Sequence, residues 1–82
     1  MASETYYYEI FDAGGNLIYK SRNFKGYLVA RRDLFSEMCV CENESTAFIY
    51  CVLGNGKNGR ERRFILKNHT VVEYGLLGPR DK

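Results

Sequence analysis

Five cations lie within and just after a glycine-rich stretch of this sequence. They are Lys57, Arg60, Arg62, Arg63 and Lys67. Glycines give such a segment several backbone conformations, so its cations can follow a phosphate backbone or meet an acidic protein surface. The simpler interpretation is a solvated hairpin tip whose charges maintain solubility and protect a strand edge. Residues 54–63, which we call the basic loop, are therefore a candidate partner-binding surface, with the simpler interpretation kept beside it.

The glycines of the basic loop resemble a nucleotide-binding pattern only in their spacing. Gly54, Gly56 and Gly59 are spaced as in the dinucleotide fingerprint. In that motif the glycines lead into a helix whose N-terminus binds the phosphates, whereas here they precede a predicted strand. We therefore reject the motif and expect no cofactor.

The cysteine thiols and one histidine imidazole are the other groups that could bind a metal ion or act in catalysis. Cys39 and Cys41 are separated by one residue, while Cys51 and His69 are isolated. Structural zinc sites usually place two to four residues between paired cysteines, so no metal is expected. An odd number of cysteines without a secretion signal indicates reduced thiols, and we expect Cys39 and Cys51 in the core and Cys41 exposed. No catalytic residues are assigned, although an enzyme that relies on His69, such as a small nuclease, remains a third hypothesis.

A run of tyrosines near the N-terminus suggests a second binding surface. In a strand, Tyr6 and Tyr8 point to one side and Tyr7 to the other. If Phe11 faces Leu17 across the next turn, then Tyr7, Phe11 and Tyr19 share one face and form an exposed aromatic patch. Such patches often mark contact with a partner or self-association. The alternative is that these rings are boundary residues with solvated hydroxyls.

The elements that must position these residues begin with a hairpin and a helix. Aromatic and β-branched residues predict strands at Thr5–Phe11 and Leu17–Lys20, joined by a glycine turn. From Tyr27 to Cys39 the apolar period becomes helical. The predicted apolar side contains Tyr27, Leu28, Leu34, Phe35, Met38 and Cys39. A shorter helix from Asp33, after an extra strand over 27–31, is the second choice because aspartate is a good N-cap.

Three further strands are predicted in the second half of the chain. Ala47–Leu53 is apolar on both faces, which indicates a strand covered on both sides. Glu61–Lys67 and Val71–Tyr74 flank a two-residue Asn68-His69 turn, which places Leu66 opposite Val71. The pattern predicts a single α+β domain over residues 1–82, with loose ends at 1–4 and 78–82. Its mainly antiparallel sheet of about five strands follows the order β-β-α-β-β-β, with the helix on one face.

Composition narrows the class of protein. The chain has 82 residues, of which 45% are hydrophobic and 15% aromatic, and this argues for a packed core. A net charge of +2 is too small to indicate nucleic-acid binding by itself, and it excludes the strongly acidic surface of a nucleic-acid mimic. The sequence shows neither a signal peptide nor a membrane span, so a cytoplasmic protein is expected.

These observations favour a small non-enzymatic protein-binding module. It would be an inhibitor or adaptor of the phage or mobile-element type, and it would occupy a macromolecular partner through a sheet face or the basic loop. The alternative is a small nucleic-acid-binding protein that uses the basic hairpin. An exposed aromatic face or a free edge strand also leaves room for a homodimer.

Overall fold

One antiparallel sheet, with a helix against one of its faces, makes up the fold. A computed structural model of the chain describes residues 4–52 and 58–76. The elements are β1 (Thr5–Phe11), β2 (Leu17–Lys20), α1 (Tyr27–Met38), β3 (Thr46–Val52), β4 (Asn58–Lys67) and β5 (Thr70–Leu76). This order confirms the predicted α+β architecture. The predicted positions of Leu53 and of the 78–82 tail lie outside the described residues.

The sheet has the strand order β2-β1-β3-β4-β5. The three hairpin pairings were expected from the short connections, whereas the pairing of β1 with β3 joins strands that are distant in sequence. In that pairing Tyr8 lies opposite Ile49 and Glu9 opposite Phe48. β3 therefore has a strand at each edge. The cover predicted for both of its faces was wrong for one of them, because within the described residues only the face towards α1 is covered.

The hydrophobic core lies between α1 and one face of the sheet. The helix contributes Ala30, Leu34 and Met38, which recur every four residues and so lie along one stripe. The sheet contributes Tyr8, Ile10, Ala47, Ile49, Cys51, Phe64 and Leu66. The Tyr8 hydroxyl donates a 2.5 Å hydrogen bond to Asp33 Oδ2 and so links β1 to the helix.

The predicted apolar side of the helix was partly wrong. Leu28 is 72% exposed and Cys39 is exposed, so neither belongs to the core. The buried stripe is centred on Ala30 and Leu34, which rotates Leu28 to the far side of the helix. The shorter helix from Asp33 is also wrong, because α1 begins at Tyr27.

A β-bulge in the first hairpin changes the face of one predicted site residue. Phe11 pairs with Leu17 as predicted, but Ile10 pairs with Tyr19, so Ile18 is an extra residue in β2. One extra residue reverses the side on which the following side chains project. Tyr19 therefore lies on the helix side, with its ring centroid 5.8 Å from that of Tyr8. Its predicted membership of the patch with Tyr7 and Phe11 is wrong.

The second half of the sheet contains a longer strand than expected. β4 begins at Asn58 rather than Glu61, so residues 58–63 of the predicted basic loop are strand. The β4–β5 turn is formed by Asn68 and His69, both with positive φ (49° and 64°), as a type I′ turn requires. The pairing of Leu66 with Val71 is confirmed.

Candidate functional site

The face of the sheet opposite α1 is the candidate site. Within residues 4–52 and 58–76, no helix or strand packs over it. We call this side of the sheet the open face. Because side chains alternate along a strand, it receives the neighbours of the core residues. Its aromatic members, all partly buried, are Tyr7, Phe11, Phe48, Tyr50 and Tyr74.

Four of these rings form a continuous cluster across β1 and β3. Tyr7 lies opposite Tyr50 in the strand register. Their rings stack with centroids 4.9 Å apart and planes inclined by 23°. The Phe48 ring centroid lies 6.3 Å from that of Tyr50 and 6.1 Å from that of Phe11. Such pairs contribute about 0.5–1.5 kcal/mol beyond burial of their area, so the cluster is a preorganised surface.

Cations surround this aromatic cluster. Lys20 Nζ lies 5.2 Å from the centroid of the Tyr7 ring, and the Arg63 guanidinium carbon lies 4.7 Å from that of Tyr74. Lys67 is exposed and projects from the same side of β4 as Arg63. Among the described strand side chains of the open face, Glu9 is the one carboxylate beside these three cations. The open face therefore combines apolar rings with net positive charge.

Arg63 has a further feature that bears on binding. Its Nε is buried and makes no hydrogen bond within the described part of the chain. Its guanidinium carbon remains over the Tyr74 ring, in the geometry of a cation–π contact. Arg63 is thus held against the sheet by the ring, and its planar donors are suited to a carboxylate.

The aromatic face and the basic surface, which were predicted as separate sites, lie on the same side of the sheet. Tyr7 and Phe11, predicted as an aromatic face, lie on the same side of the sheet as Arg63 and Lys67 from the predicted basic surface. This juxtaposition requires the pairing of β1 with β3 and of β3 with β4. Lys57 and the side chain of Arg60 lie outside the described residues.

Arg62, another predicted site residue, faces the helix instead. Its Nη1 lies 3.4 Å from Glu73 Oε2, and its guanidinium carbon lies 5.9 Å from the Tyr27 ring centroid. Successive residues of a strand point to opposite faces, so the side chains of Arg62 and Arg63 project from opposite sides of β4. Arg62 therefore belongs to a structural network and does not contribute to the open face.

That network attaches α1 to the edge strand β5. Glu73 Oε1 accepts hydrogen bonds from Arg31 Nε at 3.0 Å and Nη2 at 2.8 Å. Glu73 Oε2 accepts a third from the Tyr27 hydroxyl at 3.2 Å. Burial, reinforced by the nearby Glu73 carboxylate, raises the pKa of Tyr27 to about 12. These contacts attach the helix to the side of the sheet opposite the open face.

Sequence reasoning missed part of the site. Lys20, Phe48 and Tyr74 were not assigned to a binding surface, and Tyr50 was considered only as a ring near the basic loop that could stack on bases. A signal was present in β3, where Phe48 and Tyr50 alternate with the smaller Ala47, Ile49 and Cys51. The smaller residues line the helix side, which leaves the rings to the open face.

The thiols and the imidazole do not assemble into a site in the described part of the chain. His69 is exposed in the β4–β5 turn, where its backbone N–H donates to Asn43 Oδ1 at 2.8 Å. Of the free cysteines, Cys51 is buried as predicted. The other two predictions were wrong, because Cys39 is exposed and Cys41 is partly buried against the core. Burial raises the pKa of the Cys41 thiol above its usual range. No group of three or more His, Cys, Asp or Glu side chains among these residues is placed to hold a metal ion.

Comparisons with known proteins add no identification to this geometry. No family model matches the chain, and no curated protein or solved structure is significantly similar to it. In the described residues, no helix has the length and apolar character needed to cross a membrane. Any functional conclusion therefore rests on the residues of the open face.

Proposed function

We propose that the protein is a small non-enzymatic module that binds a partner protein through its open face. The observation that supports this is the contiguous cluster of Tyr7, Phe11, Phe48 and Tyr50 on the open face. Aromatic side chains are enriched at protein interfaces, and clusters of them often supply most of the binding energy. The proposed role is that of an inhibitor or adaptor, of the phage or mobile-element type, that occupies a surface of its partner.

Charge on the open face indicates the chemistry of the partner. Lys20, Arg63 and Lys67 accompany one carboxylate, Glu9, on the described strands of this face. We expect the partner to present an apolar patch with carboxylates around it. Complementary charges at the rim of an interface accelerate association and fix its orientation. The free thiols of the chain fit a reducing compartment, so we expect this binding to occur in the cytoplasm.

A second candidate function is binding of single-stranded nucleic acid. The observation that favours it is the placement of cations beside rings, with Lys20 at Tyr7 and Arg63 at Tyr74. Proteins that bind single strands combine such cations with aromatic platforms for bases. This function takes second place because Tyr7 and Tyr50 stack on each other, which leaves less ring surface for bases.

Capture of a partner from a lysate of the source cells, before and after nuclease treatment, tests the proposal. Phe48→Ser removes the ring that touches both Phe11 and Tyr50. Leu28→Ser is the matched control, because Leu28 is an exposed apolar residue on the far side of α1. We expect the wild type and the control to capture the same protein with or without nuclease, and Phe48→Ser to lose it. Circular dichroism and thermal unfolding verify that each variant is folded.

Lys67→Glu gives a second variant that does not disturb the packed rings. Lys67 is exposed, so folding should be unaffected and partner affinity should fall roughly three- to tenfold through reversal of one rim charge. Equal capture by the wild type and both open-face variants would refute the proposal. Recovery of nucleic acid alone, with affinity falling steeply as salt rises, would establish the second candidate instead.

A further inference from the structure

A cleft opens at the end of the open face beside the β1–β2 turn. It has a volume of about 310 Å³, and its lining residues are Phe11, Asp12, Ala13, Gly15, Thr46 and Phe48. This volume is at the lower end of the range for small-molecule pockets, so there is room for one long side chain. Because Phe11 and Phe48 also belong to the aromatic cluster, the cleft is continuous with the open face.

Two rings give the cleft an apolar wall with an affinity for cations. The Phe11 and Phe48 centroids are 6.1 Å apart and their planes are inclined by 75°. The electron-rich face of an aromatic ring attracts a guanidinium or ammonium group that lies within about 6 Å of its centroid. The wall therefore suits a side chain with an apolar stem and a positively charged end.

Among the described residues that line the cleft, Asp12 is the one that carries a charge, and the turn holds its carboxylate in place. Oδ1 accepts hydrogen bonds from the backbone N–H groups of Gly14 and Asn16, both at 2.9 Å. The Asn16 side-chain amide lies 3.4 Å from Oδ1 and 3.3 Å from Oδ2. Oδ2 thus makes one long contact within the turn and retains acceptor capacity for a ligand.

The backbone of the turn supports this arrangement. The Asp12 N–H donates to the Asn16 carbonyl at 2.8 Å, and the Gly15 N–H donates to the Asp12 carbonyl at 2.9 Å. Gly15 has a φ of +88°, which L-residues rarely adopt. The backbone hydrogen bond from Asn16, followed by the other donors of the turn, lowers the pKa of Asp12, so the carboxylate is ionised at neutral pH.

We propose that the cleft binds an arginine side chain of the partner protein. Its guanidinium donates to Asp12 Oδ2, and its aliphatic stem lies along Phe11 and Phe48. Arginine fits because its planar group both stacks on rings and donates to carboxylates. The proposal rests on the proposed function. It also defines the orientation of the partner, which places a cation at the β1–β2 turn and carboxylates opposite Arg63 and Lys67.

Titration of the ¹⁵N-labelled protein with N-acetyl-arginine methylamide tests the cleft directly. N-acetyl-citrulline methylamide is the matched control, since it has nearly the same shape without the charge. We expect saturable shifts of the amide signals of residues 11–15 and 46–48. For a ligand this small, we expect a dissociation constant on the order of millimolar. The citrulline derivative should bind roughly fivefold more weakly or not measurably, because it lacks the charge-assisted bond.

Asp12→Asn is the informative variant. Its side-chain oxygen can still accept the hydrogen bonds of the turn, so the fold should be retained while the charge is lost. We expect arginine affinity to fall by roughly fivefold or more, to the level of citrulline, and capture of the partner to fall similarly. Unchanged thermal unfolding and an unchanged amide spectrum outside the turn provide the check on folding.

Three results would overturn the cleft assignment: equal binding of the arginine and citrulline probes, shifts confined to residues outside the cleft, or affinity unaffected by Asp12→Asn. The probe titration does not require the partner. If any of these three results is found and Phe48→Ser still loses the partner in the capture experiment, the cleft assignment fails and the proposed function stands. If the probe binds as expected but capture is the same for wild type and Phe48→Ser, the proposed function fails instead.

Discussion

Replacement of Glu73 by glutamine should weaken the attachment of α1 to the edge strand β5. The carboxylate receives two hydrogen bonds from Arg31 and one from Tyr27. A second cation, Arg62, lies 3.4 Å away. Glu73→Gln keeps the size of the side chain and removes the charge on which these contacts depend. We therefore expect a loss of stability without a change of fold.

The exposure of the pair sets the expected magnitude. The side chains of Arg31 and Glu73 are 37% and 24% exposed, so the pair lies between a surface and a buried ion pair. Exposed pairs contribute about 0.2–1 kcal/mol, whereas breaking a buried pair costs about 3–5 kcal/mol. Solvent screening at this exposure places the Arg31 contact near the lower range, at about 1 kcal/mol. With the weaker Arg62 contact, Glu73→Gln should cost about 1–1.5 kcal/mol and lower Tm by roughly 5–10 °C.

A double-mutant cycle with Arg31→Leu isolates this pair. Leucine retains an apolar stem near Phe35, over whose ring the Arg31 guanidinium carbon lies at 4.5 Å. Urea unfolding of the four proteins should give a coupling free energy of about 1 kcal/mol that decreases in high salt. Glu42→Gln, at an exposed carboxylate, is the control and should change stability by less than about 0.5 kcal/mol. A coupling below about 0.3 kcal/mol would refute the network.

Two further predictions concern the helix and its tyrosine. Leu34→Ala should cost about 2.7–5 kcal/mol in urea unfolding, because Leu34 is fully buried. Leu28→Ala should stay within about 0.5 kcal/mol, and similar effects of the two would contradict the helix orientation. Burial raises the pKa of Tyr27 from 10.0 to about 12. The folded state therefore favours the protonated hydroxyl of Tyr27, and the stability that this group contributes is complete below pH 10 and is lost as pH rises towards 12. The stability difference between the wild type and Tyr27→Phe should change across that pH range, and a constant difference would contradict the burial.

Strand positions were predictable from sequence because each strand has its own local pattern. Aromatic and β-branched residues placed β1 correctly, and the run Val71–Tyr74 located β5, which extends over Thr70–Leu76. The run that is apolar on both faces located β3. The Asn68-His69 turn was predictable because two residues between apolar runs define a tight hairpin. These features depend on neighbouring residues alone.

Features that depend on tertiary contacts were not predictable in the same way. The bulge at Ile18, which sends Tyr19 to the helix side, is one extra residue whose type carries no distinct signal. The rotation of α1, which exposes Leu28, is set by how the helix packs on the sheet. The merging of the aromatic and basic surfaces required the pairing of β1 with β3, which are separated by the helix.

Site-specific photocrosslinking in the source cells tests the central claim most directly. Benzoylphenylalanine placed at Phe48 reports on what touches the open face, and the same group at Leu28 reports on the outer side of α1. The proposed function predicts a discrete protein adduct from Phe48 that survives nuclease treatment, and none from Leu28. Adducts from Leu28 alone, or adducts of Phe48 with nucleic acid alone, would contradict it.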